Sequence, residues 1–289
     1  METGSKIEAS QRIFDEAALK DCTKPILFAE LSQERFKACL YDNERKLILG
    51  WLVVDHAHMP NPFVHANKLE KILDEFRNDL LSERQYFSII NQESSLVPTE
   101  FYDPLNEKAV LEFAHEILSS DRAQADLIEE LDAYNVWSCP APIWKSIQKN
   151  FPDAEILHFS SPLLKHFSNR MKDNHGLHLF GHVQNEQLEL LCFEDSKLLL
   201  YNSYKYHSPE DFLYFTLFGM EQCRMDPEEH RVDLLGDIRK GDPVFKLCYT
   251  YIRNVQVQTQ LREIKVAPAL RTSDHQEHFN LFNLHHCVS

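Results

Sequence analysis

Glycine is scarce in this chain, with seven in 289 residues. Loops that cradle phosphate through successive backbone amides rely on glycine for positive φ and close approach, so the shortage works against a nucleotide grip. Neither a GxxxxGK[ST] nor a GxGxxG run is present. Cysteine occurs seven times without one CxxC pair, which excludes a thioredoxin-type motif and a zinc ribbon and predicts free thiols in a reducing compartment. Basic residues are outnumbered, 30 Lys and Arg against 45 Asp and Glu, for a net charge of −15. A nucleic-acid partner is not expected, because phosphate binding needs clustered cations. No apolar run approaches the ~18 residues of a membrane span, and Met1–Lys6 has no apolar signal-type core. These absences predict a cytoplasmic protein with no membrane span.

What is present is hydrophobic content of 43% with 11% aromatics, enough for packed cores and too much for disorder. The length suits two domains. Phe36–Tyr41, a short turn and Lys46–Leu49 read as a β-hairpin, and Leu188–Phe193, a turn and Lys197–Leu200 read as the same hairpin again. Around each lies an alternation of strands and helices, the pattern of α/β layers. Helices are predicted over 64–81 (Leu69, Ile72, Leu73, Phe76), over 105–118 (Val110, Phe113, Ala114, Ile117) and from Ser208-Pro209 onward. The last opens with a cap, a proline and two acids, and its body is apolar nearly all round, which predicts burial. Residues 121–132 read as an acidic connector. The predicted organisation is a polar N-terminal arm over 1–24, a first half over 25–174 and a second over 175–289, divided at Asn174-His175-Gly176.

Strand, hairpin, helix, strand and helix, given twice, resemble the actin-like ATPase superfamily, with PilM and FtsA as the nearest likeness. The stretch Leu198–Ser203 followed by Ser208–Phe215 also resembles an uncharacterised domain-of-unknown-function family of Bacteroidetes. The resemblance implies a duplicated RNase H-like fold whose two mixed-sheet halves flank a nucleotide cleft. It places the phosphate turns on Glu30-Leu31-Ser32-Gln33-Glu34 and His182-Val183-Gln184-Asn185-Glu186. It puts a later glycine pair on His207-Ser208 and the adenosine loop on Leu235-Gly236-Asp237-Ile238. Most of the expected glycines are replaced, and Glu34 and Glu186 would repel phosphate. The expectation is a non-catalytic actin-like scaffold or adaptor with a degenerate nucleotide cleft, no cofactor, and an unidentified protein partner bound through 91–104 or 119–133. The alternative is a divergent ATP-binding protein or ATPase with Glu30, Gly236 and Asp237 as its polar handles.

Other constellations carry less. Asp55, His56, His58 and His65 cluster near a Pro-rich loop, and His275, His278, His285, His286 and Cys287 crowd the C-terminal stretch. Neither set has the converging spacing of a metal site, so none is assigned. Ser208 is explained as a helix cap, Cys139 has no partner base, and no Gly-x-Ser-x-Gly elbow exists, so no nucleophile is assigned either. Trp51, Phe63, Tyr102, Tyr204 and Tyr206 fall at strand ends and loops, where they serve either packing or contact with a partner.

Overall fold

The hairpins are the centres of two sheets in the computed structural model, which describes residues 7–184, 186–258, 264–271 and 275–288. The chain divides into two units. The first takes the described residues up to Leu163, with 264–271 and 281–288. The second takes Leu164 to Gln258, with 275–280.

In the first unit, β1 (Gln11–Phe14), α1 (Glu16–Lys20), β2 (Ile26–Leu31), β3 (Arg35–Asp42), β4 (Leu47–Asp55), α2 (Pro62–Glu75) and β5 (Arg84–Ile89) come in order. There follow β6 (Ser94–Pro98), α3 (Glu107–Ala114), β7 (Arg122–Ile128), β8 (Ala133–Cys139), α4 (Ala141–Asn150), β9 (Glu155–His158) and α5 (Ser160–Met171), within which the chain enters the second unit. The second unit holds β10 (Leu177–Gln184), β11 (Gln187–Glu194), β12 (Lys197–Lys205), α6 (Pro209–Gln222), β13 (Arg231–Gly236), α7 (Pro243–Tyr251) and β14 (Asn254–Val257). Short β15 (Lys265–Val266) and α8 (Phe279–Asn283) close the order.

The main sheets have one topology. The first reads β4-β3-β2-β5-β9 and the second β12-β11-β10-β13-β14. In each, the middle hairpin strand runs against its neighbours, and the last two strands join in parallel. This is the RNase H-like arrangement, present twice. The duplication extends to an irregularity. The register of β3 on β4 shifts between Leu40 and Tyr41, and that of β11 on β12 shifts between Cys192 and Phe193, the residues that the repeat aligns. A bulge bends a strand at a fixed place and is a feature of design more than of chance.

Burial explains why the strands are so apolar. Seven of the eight residues of β3 are buried, as a central strand covered on both faces requires. In the second unit, Leu188 and Leu190 pack with Phe212 and Met220 of α6 and with Phe245 and Cys248 of α7. Among the described residues, no helix is long and apolar enough to cross a membrane.

Four local expectations are corrected. The polar arm is structured from Gln11: β1 pairs with β4 over Gly50–Val53, and Gln11 accepts the Trp51 indole N–H at 3.0 Å. The acidic connector is strand β7, since Asp126 and Ile128 turn inward against β8. The helix over 105–118 shrinks to α3 and is rotated. Leu111 is its buried residue, while Phe113 is 95% exposed. The helix over 64–81 stops at Glu75, where Phe76 caps it. As for α6, its inner face is buried as expected, but Tyr214 stands 62% exposed.

Together β6, β8 and β7 form a three-stranded sheet of their own, backed by α3 and inserted between β5 and α4. It occupies both segments that the sequence nominates for partner contact.

Candidate functional site

Phosphate is held by amides that nothing else has claimed, so the first question is where the amides of the four nominated loops are spent. At the β2–β3 turn, Ser32 is buried, and its Oγ accepts from Glu34 N at 3.3 Å and Arg35 N at 3.0 Å. Its own amide donates to the Arg35 carbonyl at 2.9 Å. Serine in place of glycine therefore closes the turn on itself. The Pro-rich loop is laced on top, with His56 N on the Glu34 carbonyl at 2.8 Å and Met59 N on that of Gln33 at 2.9 Å.

The equivalent turn in the second unit is shorter still. Pairing runs out to Gln184 opposite Gln187, leaving two residues between the strands. Asn185, nominated within this turn, lies outside the described residues. At His207-Ser208, the Asp211 carboxylate accepts the His207 amide at 3.0 Å, and the Ser208 Oγ accepts the Asp211 amide at 3.1 Å. The amide bond from His207 holds the Asp211 carboxyl below its ordinary range. Gly236 does adopt φ +86°, and a Cβ there would strike the Val183 carbonyl. That same carbonyl takes the Asp237 amide at 2.7 Å, while Ile238 N turns back to Gly236 O at 2.8 Å.

Titratable residues sit at corresponding places behind the two turns. Glu30 is 2% exposed and faces Lys37 across the strands of its hairpin. The aligned pair is His182 and Glu189, also buried and also opposite one another. Glu189 accepts from Tyr201 Oη at 2.8 Å, Ser203 Oγ at 2.7 Å and Gln187 Nε2 at 2.8 Å. Burial outweighs those bonds and pushes its carboxyl up to about 7.

A second polar cluster escapes a linear reading because four separate elements assemble it. Asp126 of β7 accepts from Trp137 Nε1 at 3.0 Å, His158 N at 2.8 Å and Ser161 Oγ at 2.5 Å. Asn135 of β8 donates to Ser160 and Ser161 at 2.9 Å each. His158 Nδ1 lies 2.7 Å from Ser160 Oγ, and its Nε2 lies 3.0 Å from Asn91 Oδ1. A serine on an imidazole has the outline of a nucleophile and its base. Ser160 is fully buried, however, and burial pushes His158 down to about 3, so this pair is sealed from substrate. Its role is to fasten the inserted sheet to β9 and α5. Cys139 is equally inert, its buried thiol pushed up to about 12.

A cavity of about 220 Å³ stays open in the first unit beside the β2–β3 turn. Its floor is apolar, with Leu31, Ile89 and Ile143. The inserted region contributes Glu93, Glu116 and Asp121, and none of the described lining residues is Lys or Arg. His65 of α2 also lines it and is 7% exposed, with Nε2 lacking any partner. Burial, and the His56 ring at 5.6 Å, push His65 down to about 4, while its hydrogen bond to the Ser32 backbone acts the other way. It is therefore neutral near pH 7, with Nε2 buried and unpaired. Of the other members of the nominated histidine cluster, Asp55 binds Arg35, His58 lies 3.1 Å from Glu34, and His56 stays beside His65 with its Nδ1 3.1 Å from the Ala57 carbonyl. Among the described residues, no group of three or more His, Cys, Asp or Glu is placed to hold a metal ion. Of the aromatics, Trp51 is buried and Phe63 is exposed, so the set does not form one surface.

The sequence matches a family model described as "Protein of unknown function (DUF3822)" over residues 16–255. The fold is similar to that of a Bacteroides thetaiotaomicron protein described as having an actin-like ATPase fold and unknown function. The TM-score is 0.72 at 16% identity, covering 83% of this chain and 92% of that one. It is also similar to a chain of the PilM–PilN type IV pilus biogenesis complex, with a TM-score of 0.52 at 14% identity, covering 90% and 97%. No curated protein matches the sequence. Likeness at such identities speaks for the actin-like fold and no further.

Proposed function

The chain belongs to the DUF3822 family, whose function is unknown, and from that premise we propose that it is a non-catalytic actin-like scaffold or adaptor that works by binding another protein. One observation carries this: the Ser32 hydroxyl occupies the Glu34 and Arg35 amides of the first phosphate turn. Asp211 does the same to His207 in the second unit, with a carboxylate where an anionic ligand would have to sit. A nucleotide would have to break these bonds and then face Glu34 and Glu186. The sealed Ser160–His158 pair and the inert Cys139 add no hydrolytic machinery. A similar fold is known from a complex of two pilus-biogenesis proteins, which agrees with partner binding as the retained task. The same proposal keeps the protein in the cytoplasm, where its free thiols stay reduced.

Thermal unfolding with and without Mg²⁺-ATP tests it. A nucleotide at 100 times its Kd would add about 2.7 kcal/mol of stability. No rise in Tm at millimolar Mg²⁺-ATP is expected. A clear rise would replace the scaffold with a divergent ATP-binding protein, in which Glu30, Gly236 and Asp237 are the residues to examine.

A further inference from the structure

An open sheet leaves outer strands whose amides and carbonyls can take another strand, and folds commonly shorten or cover them. Both devices are visible in this molecule. Among the described residues, the outer strands of the two main sheets are β1, β15, β9 and β14, of four residues or fewer, and β12, of nine. The shared bulge matches Gly50 of β4 with Leu200 of β12, so these two nine-residue strands are counterparts from end to end. In the first unit β4 is covered. There β1 pairs over Gly50–Val53 and β15 at Leu47 and Ile48, and seven of the nine residues are buried. In the second unit, among the described residues, β11 alone pairs with β12, and no residue of β12 is buried. Leu199 is 39% exposed, and Leu198, Leu200 and Tyr204 are half-buried.

What the strand carries selects its occupant. Lys197 and Lys205 are its exposed end residues, and among the described residues neither enters an ion pair. Glu194 stands opposite Lys197 in register yet outside pairing distance. A line of amides and carbonyls suits another main chain more than an enclosed small molecule. A second copy of this chain, paired antiparallel about Tyr201, would set Lys197 against Lys205 at both ends, and like charges directly opposite are destabilising. A segment of another protein with a carboxylate at each end answers both lysines, and apolar side chains between them cover Leu198, Leu199 and Leu200. We infer that β12 takes up an extended segment of a partner protein as a sixth strand of the second, five-stranded sheet, apolar along its middle and with Asp or Glu facing Lys197 and Lys205. Main-chain hydrogen bonds supply the hold, and the side chains supply the choice of partner. The inference rests on the scaffold proposal and gives it a surface in the second unit, where the sequence nominates only 91–104 and 119–133.

A labelled peptide as long as β12, Ac-Glu-Val-Thr-Ile-Thr-Val-Thr-Val-Glu-NH₂, tests it on the full chain at low salt. One control carries lysine at both ends. Another is N-methylated on two adjacent central residues, which removes one N–H from each edge of the peptide. Binding is followed by fluorescence anisotropy, and its place by amide hydrogen exchange. The acidic peptide is expected to bind about tenfold tighter than the lysine version, as two surface charge pairs allow. It should slow exchange over 198–204 and leave β14 unchanged. N-methylation should weaken binding by about tenfold or more, because the main-chain bonds are lost. Lys197→Gln/Lys205→Gln, at exposed positions, should keep the fold and lose the preference for acidic ends. Equal binding of the lysine or the N-methylated peptide would overturn the assignment. So would unchanged β12 exchange at the solubility limit of the acidic peptide. A concentration-dependent dimer with β12 protected would put a second copy on this edge and overturn it as well. An identified partner that leaves β12 exchange unchanged keeps the scaffold and removes this edge from it. Stabilisation by Mg²⁺-ATP strikes the scaffold proposal alone.

Discussion

Burying the Glu189 carboxyl gives stability an unusual pH dependence. Its folded pKa, about 7, lies above the ordinary 4.5, with burial as the cause. Between those values the folded state holds the proton more tightly than the unfolded chain. Stability is therefore fully present below pH 4.5, declines as pH rises to about 7, and is level above. His158 works the other way. Pushed down to about 3 by burial, it stays neutral in the fold and lets stability drain as pH falls below 6.5. Glu189→Gln is expected to remove the first slope. Urea unfolding at several pH values should show the variant gaining on the parent between pH 4.5 and 7, by on the order of 3 kcal/mol. A constant difference across that range would mean that Glu189 does not titrate there. Neither residue announces itself in the sequence. A glutamate in an apolar strand is visible, but the donors Tyr201 and Ser203 come from the neighbouring strand. His65 is similar: its cluster is legible, whereas its burial beside the β2–β3 turn depends on the fold.

Elements were legible where one period dominates and obscure where side chains of mixed character share a strand. The two hairpins stand out because β3 and β11 are apolar almost throughout. Strand β7 hides because Asp126 is one of its two buried residues and binds Trp137, so that the strand reads as acidic loop. Strand β1 hides behind Gln11 and Arg12, which have partners in Trp51 and Asp79. Helix α3 shows how period alone misplaces a face: Phe113 carries the strongest hydrophobic signal, yet the helix packs through Leu111. This is checked by a pair of substitutions. Leu111→Ala should destabilise by about 2–4 kcal/mol, the range for a large-to-small change in a packed core. Phe113→Ala should stay within about 0.5 kcal/mol, as surface changes do. Equal costs in chemical denaturation would show that Phe113 packs against something after all.

At the scale of the molecule, the duplicated topology holds the seven thiols in two classes. Cys39, Cys139, Cys192, Cys223 and Cys248 are buried, and Cys22 and Cys287 are partly accessible. Burial raises the pKa of all five buried thiols, and the thiolate is the reactive form. A disulfide-exchange reagent at pH 8 should therefore modify at most Cys22 and Cys287 in the native protein, and all seven in denaturant. Rapid reaction of a third would show one of these interiors opening. The edge of the first sheet carries a different consequence. Strand β4 is bordered by β1 over Gly50–Val53 and by β15 at Leu47 and Ile48, and its Trp51 ring lies 6.1 Å from that of Phe282. The first border is thus made long before the second. At ~5–20 residues per second, the roughly 200 intervening residues leave that rim bare for about 10–40 s, long enough for a nascent chain to need a chaperone's cover.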